Sequence, residues 1–189
     1  SFVPSSVAVG DLNNDGRRDI AVSARYTDRV GVRLMASSGY YGSLLSYGPV
    51  NDPVALGIAD LDGDGLQDLA VLSRGNDTLA VASQGAGSLQ DPVYYPAGRF
   101  PSALALGDLT GDDRTDVVIA QFGEKYISVL SQTTGGDLTA DEDYIVGAGA
   151  TALSLADFNS DGRTDVAVCV QSTGAVRVLN QTVSGKLEM

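Results

Sequence analysis

Aspartates recur in this chain in a fixed nine-residue grouping: Asp, any residue, a polar residue, any residue, Asp, usually Gly, two further residues, Asp. The four copies read DLNNDGRRD (Asp11 to Asp19), DLDGDGLQD (Asp60 to Asp68), DLTGDDRTD (Asp108 to Asp116) and DFNSDGRTD (Asp157 to Asp165), at intervals of 48 or 49 residues. Carboxylates this dense repel one another unless a cation sits among them. Oxygen donors at positions 1, 3 and 5 of a tight loop, a carbonyl at 7 and a carboxylate two residues later suit a hard cation with many ligands, and calcium above all. In the second loop these are Asp60, Asp62, Asp64, the Leu66 carbonyl and Asp68. Gly16, Gly65 and Gly162 at position 6 permit the positive φ of a sharp turn. The third loop has Asp113 there, which tolerates that region less well, and the neutral Thr110 at position 3. It is expected to be the weakest site.

Competing metals and motifs fit less well. An EF-hand needs a bidentate Glu at position 12 and flanking helices. Position 12 falls on Val22, Val71, Ile119 and Val168, inside apolar runs such as DIAV and DVAVCV. Magnesium prefers to keep several waters. Zinc lacks ligands, because the chain has no His and a single thiol, Cys169. Asp, Asn and Gly are also ordinary turn residues, but four copies in one register exceed what turns require. An aspartate at position 9 in every copy has no turn-forming role on this reading.

The acidity of the chain follows from these loops. The formal charge is −12, and the loops hold more than half of the 24 acidic residues. No basic stripe suggests nucleic-acid binding, and no apolar run approaches membrane-spanning length. A lone cysteine excludes an internal disulfide framework, and Cys169, within VAVCV, is expected to be a small buried hydrophobe. The chain opens on Ser1 and reads as a processed or excised segment.

The elements that must position the loops repeat with them. Apolar segments lead into each loop (SSVAVGD, PVALGIAD, PSALALGD, ATALSLAD) and follow it (DIAVSAR, DLAVLSR, DVVIAQF, DVAVCVQ). A third, more alternating segment comes next (VGVRLMAS, TLAVASQ, YISVLSQ, AVRVLNQ). After a Gly-rich turn there is a fourth (SLLSYGP, PVYYPAG, EDYIVG). Short runs of Val, Ala, Leu and Ile bounded by Gly, Asp and Ser read as strands, and the first two are apolar on both faces, as strands buried between neighbouring sheets should be. The fold class is therefore all-β: a β-propeller of four-stranded antiparallel blades, with four repeats of about 48 residues. The expected blades are 4–52, 53–100, 101–149 and 150–189, the last without its outer strand. A part or half of a larger ring is favoured over a four-bladed closure, because an open stack would expose apolar blade faces.

The text VAVGDLNNDGRRDIAV, with a later G-x-L turn, resembles the FG-GAP/VCBS-type repeat of the integrin α-subunit head and of many microbial surface propellers. The resemblance covers nearly the whole chain. The literal FG…GAP text survives only in Phe122-Gly123, so the VCBS-like form is the closer match. The resemblance implies about four calcium ions, one per hairpin between the first and second strands. The implied side-chain ligands are Asp11, Asn13, Asp15 and Asp19; Asp60, Asp62, Asp64 and Asp68; Asp108, Thr110, Asp112 and Asp116; Asp157, Asn159, Asp161 and Asp165. The carbonyls of Arg17, Leu66, Arg114 and Arg163 complete each set. It further implies that partners meet the opposite face or the clefts between blades.

Catalysis has little to stand on, with no His, three Glu and no nucleophile-elbow serine. The expected function is a calcium-stabilised, secreted or cell-surface module (periplasmic in a bacterium) for protein interaction or adhesion. It is expected to use the segments Tyr26 to Arg29, Arg74 to Thr78, Gly123 to Tyr126 and Ser172 to Ala175. The alternative is a sugar-binding propeller, to which the pairs Tyr40-Tyr41 and Tyr94-Tyr95 would contribute, although these fit outer-strand packing better. A scaffold within a secreted enzyme ranks last. No nucleic acid and no direct membrane insertion are expected, and self-association could close the ring. Asn76 and Asn180 head N-glycosylation triplets.

Overall fold

A computed structural model describes residues 4–48 and 50–189. Pro49, the last residue of the segment SLLSYGP, lies outside the described residues. The chain divides into two compact units: residues up to Asp60 with Asp64–Pro96, and Ala97–Met189 with Leu61–Gly63.

The first unit holds two four-stranded antiparallel sheets. One is β1 (Ser6–Gly10), β2 (Asp19–Ala24), β3 (Arg29–Arg33) and β4 (Leu45–Tyr47), in chain order. The other is β5 (Pro53–Ala59), β6 (Asp68–Ser73), β7 (Thr78–Ala82) and β10 (Val93–Pro96), with a two-stranded hairpin, β8 (Gln84–Gly85) and β9 (Ser88–Leu89), inserted before its outer strand. The second unit repeats the plan. Its sheets are β11 (Pro101–Gly107), β12 (Asp116–Gln121), β13 (Tyr126–Gln132) and β14 (Leu138–Ile145), then β15 (Ala150–Ala156), β16 (Asp165–Val170), β17 (Ala175–Gln181) and β18 (Leu187–Glu188). All four sheets are meanders joined by short hairpins. The described residues are all-β apart from two single-turn 3-10 segments.

Apolar content sets which strands are innermost. Every residue of β6 (DLAVLS) and of β12 (DVVIAQ) is buried, whereas β14 (LTADEDYI) is exposed along most of its length. Core side chains include Leu12, Val30, Val32, Leu69 and Val71 in the first unit, and Leu109, Val118, Ile127, Val166 and Leu179 in the second. Successive sheets within a unit approach closely. A Cβ on Gly10 would stand 2.4 Å from Cγ2 of Ile58, so only glycine fits at the end of β1.

Two expectations require correction. The last sheet does have an outer strand: β18 pairs Asn180 with Glu188 and Gln181 with Leu187. A tight turn makes this possible, closed by the Thr182 N–H to the Lys186 carbonyl, with Gly185 at φ +74°, and Leu187 is then buried in the core. Cys169 is exposed rather than buried. Strand alternation turns it away from buried Val168 and Val170, whereas its counterpart in the second sheet, Leu72, is fully enclosed.

Candidate metal centres

Each nine-residue grouping forms the hairpin between the first two strands of its sheet. The residue before the first aspartate pairs with the ninth: Gly10 with Asp19, Ala59 with Asp68, Gly107 with Asp116, Ala156 with Asp165. Gly16, Gly65, Asp113 and Gly162 all adopt positive φ, as position 6 requires. Position 4 does so as well: Asn14 (+56°), Gly63 (+79°), Gly111 (+78°) and Ser160 (+64°). Two left-handed residues per loop curl the backbone so that its N–H groups point inward, and this second requirement escaped the sequence reading.

The first aspartate collects those N–H groups. Asp11 Oδ1 accepts from Asn13 and Asp15, and Oδ2 from Gly16 at 2.7 Å. Asp108 accepts from Thr110, Gly111, Asp112 and Asp113, Asp157 from Asp161 and Gly162, and Asp60 from Gly65. Burial pushes the Asp11 carboxyl upward, but the N–H groups of Gly16, Asp15, Asn13 and Asn14 outweigh it and hold it below the usual range. The Gly162 N–H, with those of Asp161, Ser160 and Asn159, holds Asp157 low as well, against burial. A lowered folded value means stability that is present above the unfolded value of about 3.8 and lost as pH falls through the folded one. In chelator, Asp157→Asn is therefore expected to flatten the acid side of a plot of melting temperature against pH below about 3.8, relative to wild type.

The ninth aspartate has a structural role that the sequence reading denied it. Asp19, Asp68, Asp116 and Asp165 are all fully buried. In three loops Oδ2 accepts the N–H of loop position 2, from Leu12, Leu109 and Phe158, each at 2.9 Å. In all four, Oδ1 accepts the N–H of a residue at the end of the third strand or just beyond it: Met35, Gln84, Gln132 and Gln181, at 2.8–2.9 Å. The carboxylate thus ties the hairpin to the third strand. Each oxygen retains a second lone pair, so the role as a ligand stands beside this one.

The fifth aspartate accepts the N–H of position 7 in every loop, from Arg17, Leu66, Arg114 and Arg163. Asn13 donates to Asp15 Oδ2 at 2.9 Å, and Asn159 Oδ1 accepts from Asp161. Among the described residues, two loops gather three carboxylates whose ligand oxygens lie within 4.8 Å of one another: Asp60, Asp62 and Asp68, and Asp108, Asp112 and Asp116. Calcium–oxygen distances of about 2.3–2.6 Å place ligands on opposite sides of an ion up to about 5 Å apart, so either group could hold such an ion. In the third loop the buried Thr110 Oγ1 lies beside the Asp116 carboxylate. Burial, with the neighbouring Asp112 charge, lifts the Asp116 carboxyl above its ordinary value, against the N–H groups of Gln132 and Leu109 and the Thr110 hydroxyl. A divalent cation would offset the repulsion between Asp112 and Asp116. The residues present therefore fit a hard cation, with positions 1, 3, 5 and 9 and the position-7 carbonyl as its donors.

Loops one and three, and the Leu61–Gly63 segment of loop two, are also backed by the next repeat within the same unit. Gln67 Oε1 accepts the Asp11 N–H at 2.7 Å, and Gln84 Nε2 donates to the Asp11 carbonyl at 2.8 Å. The glycine of the later G-x-L turn abuts the third loop residue of the preceding repeat. A Cβ on Gly136 would lie 2.4 Å from the Asp62 carbonyl oxygen, and one on Gly185 2.0 Å from that of Thr110.

By sequence, residues 60–119 and 108–168 each match the FG-GAP-like repeat, and residues 3–42 match the FG-GAP repeat. No curated protein matches the chain. Among solved structures, BBS1N in complex with ARL6DN is similar at TM-score 0.67 and 13% identity, covering 100% of this chain and 52% of that one. A functionally unknown protein from Desulfotomaculum acetoxidans DSM 771 is similar at TM-score 0.69 and 14% identity, covering 99% and 57%. A protein from Lactobacillus plantarum is similar at TM-score 0.67 and 19% identity, covering 97% and 54%. The chain spans about half the length of these proteins, and at such identities the likeness concerns the fold. With matches over most of its length, four meandering sheets and a carboxylate hairpin in each, the chain belongs to the FG-GAP repeat family of β-propeller blades.

Proposed function

We propose that the chain is a calcium-stabilised, non-catalytic propeller module that binds a protein partner outside the cell, at a surface or in the matrix. The observation that carries this reading is the fourfold carboxylate hairpin, whose donors suit calcium and whose charge needs it. Extracellular calcium modules bind at about 10⁻⁴–10⁻³ M, so such loops fill outside the cytosol. No helix among the described residues is long and apolar enough to cross a membrane.

In every sheet the turn between the second and third strands lies at the opposite end from the carboxylate loop, and these turns are the proposed contact points. In the first unit, Tyr26 is 78% exposed and lies beside the Arg25 guanidinium. Arg25 and Arg74 are both held by Asp52. An exposed aromatic next to two arginines has the composition of an interface anchor. BBS1N, whose fold is similar, was crystallised with a protein partner. Cells are expected to adhere to surfaces coated with the chain in millimolar calcium and to detach in chelator. Tyr26→Ala should abolish adhesion with an unchanged melting temperature. Adhesion equal in chelator, or equal for Tyr26→Ala, would contradict the reading.

A second reading is favoured by one observation. A cavity of about 390 Å³ in the first unit is lined by Val30, Leu69 and Val71 and rimmed by Ser46, Asp91 and the half-exposed Tyr94. Aromatic and polar groups beside an apolar floor suit a sugar ring. Saccharide-competable binding on a glycan array that is lost in Tyr94→Ala would replace the protein partner with a glycan.

Loop two, with four aspartates, should matter more than loop three. In millimolar calcium Asp60→Ala is expected to cost about 1–2 kcal/mol by removing a bound ion, and Thr110→Ala less than about 0.5 kcal/mol. Thermal melting of the two variants checks the order.

A further inference from the structure

Three of the four loops carry an arginine at position 7, and its placement is the same each time. Arg17 Nη2 lies 2.5 Å from Asp15 Oδ2, Arg163 Nη2 lies 2.5 Å from Asp161 Oδ2, and Arg114 Nη2 pairs with Asp112 Oδ2. In each case Nε donates to the backbone carbonyl of the residue eighteen positions later: Met35 at 2.9 Å, Gln132 at 2.9 Å and Gln181 at 2.8 Å. Those residues are the ones whose N–H groups hold the ninth aspartate. In these three sheets one residue therefore clamps its loop twice, through a buried carboxylate and through a guanidinium. An isolated surface ion pair has no such second anchor. The second loop differs: its position 7 is Leu66, which has no charge to offer, and it alone has aspartate at positions 1, 3, 5 and 9.

We propose that the position-7 arginine is a tethered counter-cation. It holds the fifth-position carboxylate in place when the divalent ion is absent and weakens the binding of that ion, so that the Leu66 loop is the tightest calcium site and the one most dependent on metal. The inference rests on the calcium reading above. The physical argument is charge occupancy. To use Asp15, Asp112 or Asp161 fully, an incoming divalent ion must take an oxygen already engaged by a guanidinium and tolerate that positive charge nearby. Even at the dielectric of bulk water, a unit charge about 4 Å from a divalent ion alters its affinity by roughly thirtyfold. The same charge makes the three arginine loops less reliant on metal, because part of their carboxylate repulsion is already neutralised. The chain then contains one hairpin without a position-7 guanidinium and three with one.

Calcium titration calorimetry on the whole 189-residue chain, with melting in chelator, tests this. Wild type is expected to show one tight site and a weaker class. Leu66→Arg should weaken the tight site about thirtyfold and raise the melting temperature in chelator. Leu66→Gln, of similar size without charge, should change both far less than Leu66→Arg. Arg163→Leu should lower the melting temperature in chelator, recover it in calcium and add a second tight site. A tight site indifferent to Leu66→Arg, equal losses for Leu66→Arg and Leu66→Gln, or Arg163→Leu behaving as wild type would each overturn the tether. Absence of any calcium uptake by wild type would instead remove the calcium reading, while melting of Arg163→Leu in chelator would still report whether the arginine braces its loop.

Discussion

Stripping calcium from the chain is expected to lower its melting temperature by about 4–8 °C. At a free concentration tenfold above the dissociation constant, a site contributes about 1.4 kcal/mol to the folded state. One such site and three about thirtyfold weaker contribute about 2 kcal/mol together, and for a chain of this size each kcal/mol corresponds to about 2–4 °C. The structural reason is local. Each loop brings several carboxylates together around inward-pointing N–H groups, and only part of the repulsion is met by Arg17, Arg114 and Arg163. The loss should be reversed by calcium more completely than by magnesium, which gives up its waters reluctantly. Calorimetric scans in chelator, calcium and magnesium measure this.

Asp116→Ala is expected to cost about 4 kcal/mol even in chelator, before any loss of bound calcium is added. Asp116 is fully enclosed, and its oxygens accept the buried N–H groups of Leu109 and Gln132 at 2.9 Å each. Alanine would leave two buried donors unmet, at about 1–3 kcal/mol apiece. Against a total stability of about 5–15 kcal/mol that is a large fraction. Asp116→Asn keeps one acceptor and should lose about half as much. The contrast with Thr110→Ala separates the two functions that meet in one loop: the ninth position holds the sheet together, and the third serves the ion. A destabilisation of Asp116→Ala that vanished in chelator would mean that the carboxylate acts only through metal.

Much of this architecture could be read from local pattern. Apolar runs of Val, Ala and Leu between Asp- and Gly-rich turns marked the inner strands, and the spacing of 48 or 49 residues marked the repeats. The loop donors were legible because they lie within nine residues. What escaped depends on partners far along the chain. The contact of Gly185 with the Thr110 carbonyl and that of Gln84 with the Asp11 carbonyl join residues more than seventy positions apart, and no local signal announces either. The clamp on Asp19 by Met35 likewise needs the third strand in place, so the ninth aspartate looked like a ligand and nothing else. Position 4 was missed because Asn14 and Ser160, unlike glycine, do not advertise a left-handed backbone. Cys169 was misplaced because VAVCV is apolar throughout, whereas the face on which Cys169 lies is uncovered.

The central claim is that the four hairpins cage a hard divalent ion. Its most direct measurement is a crystal structure grown in millimolar calcium. The expected result is an ion in the second hairpin, bound by Asp60, Asp62, Asp64, the Leu66 carbonyl and Asp68, with weaker occupancy where Arg17, Arg114 and Arg163 stand. Hairpins filled by water alone, with every carboxylate keeping its present N–H partners, would contradict it.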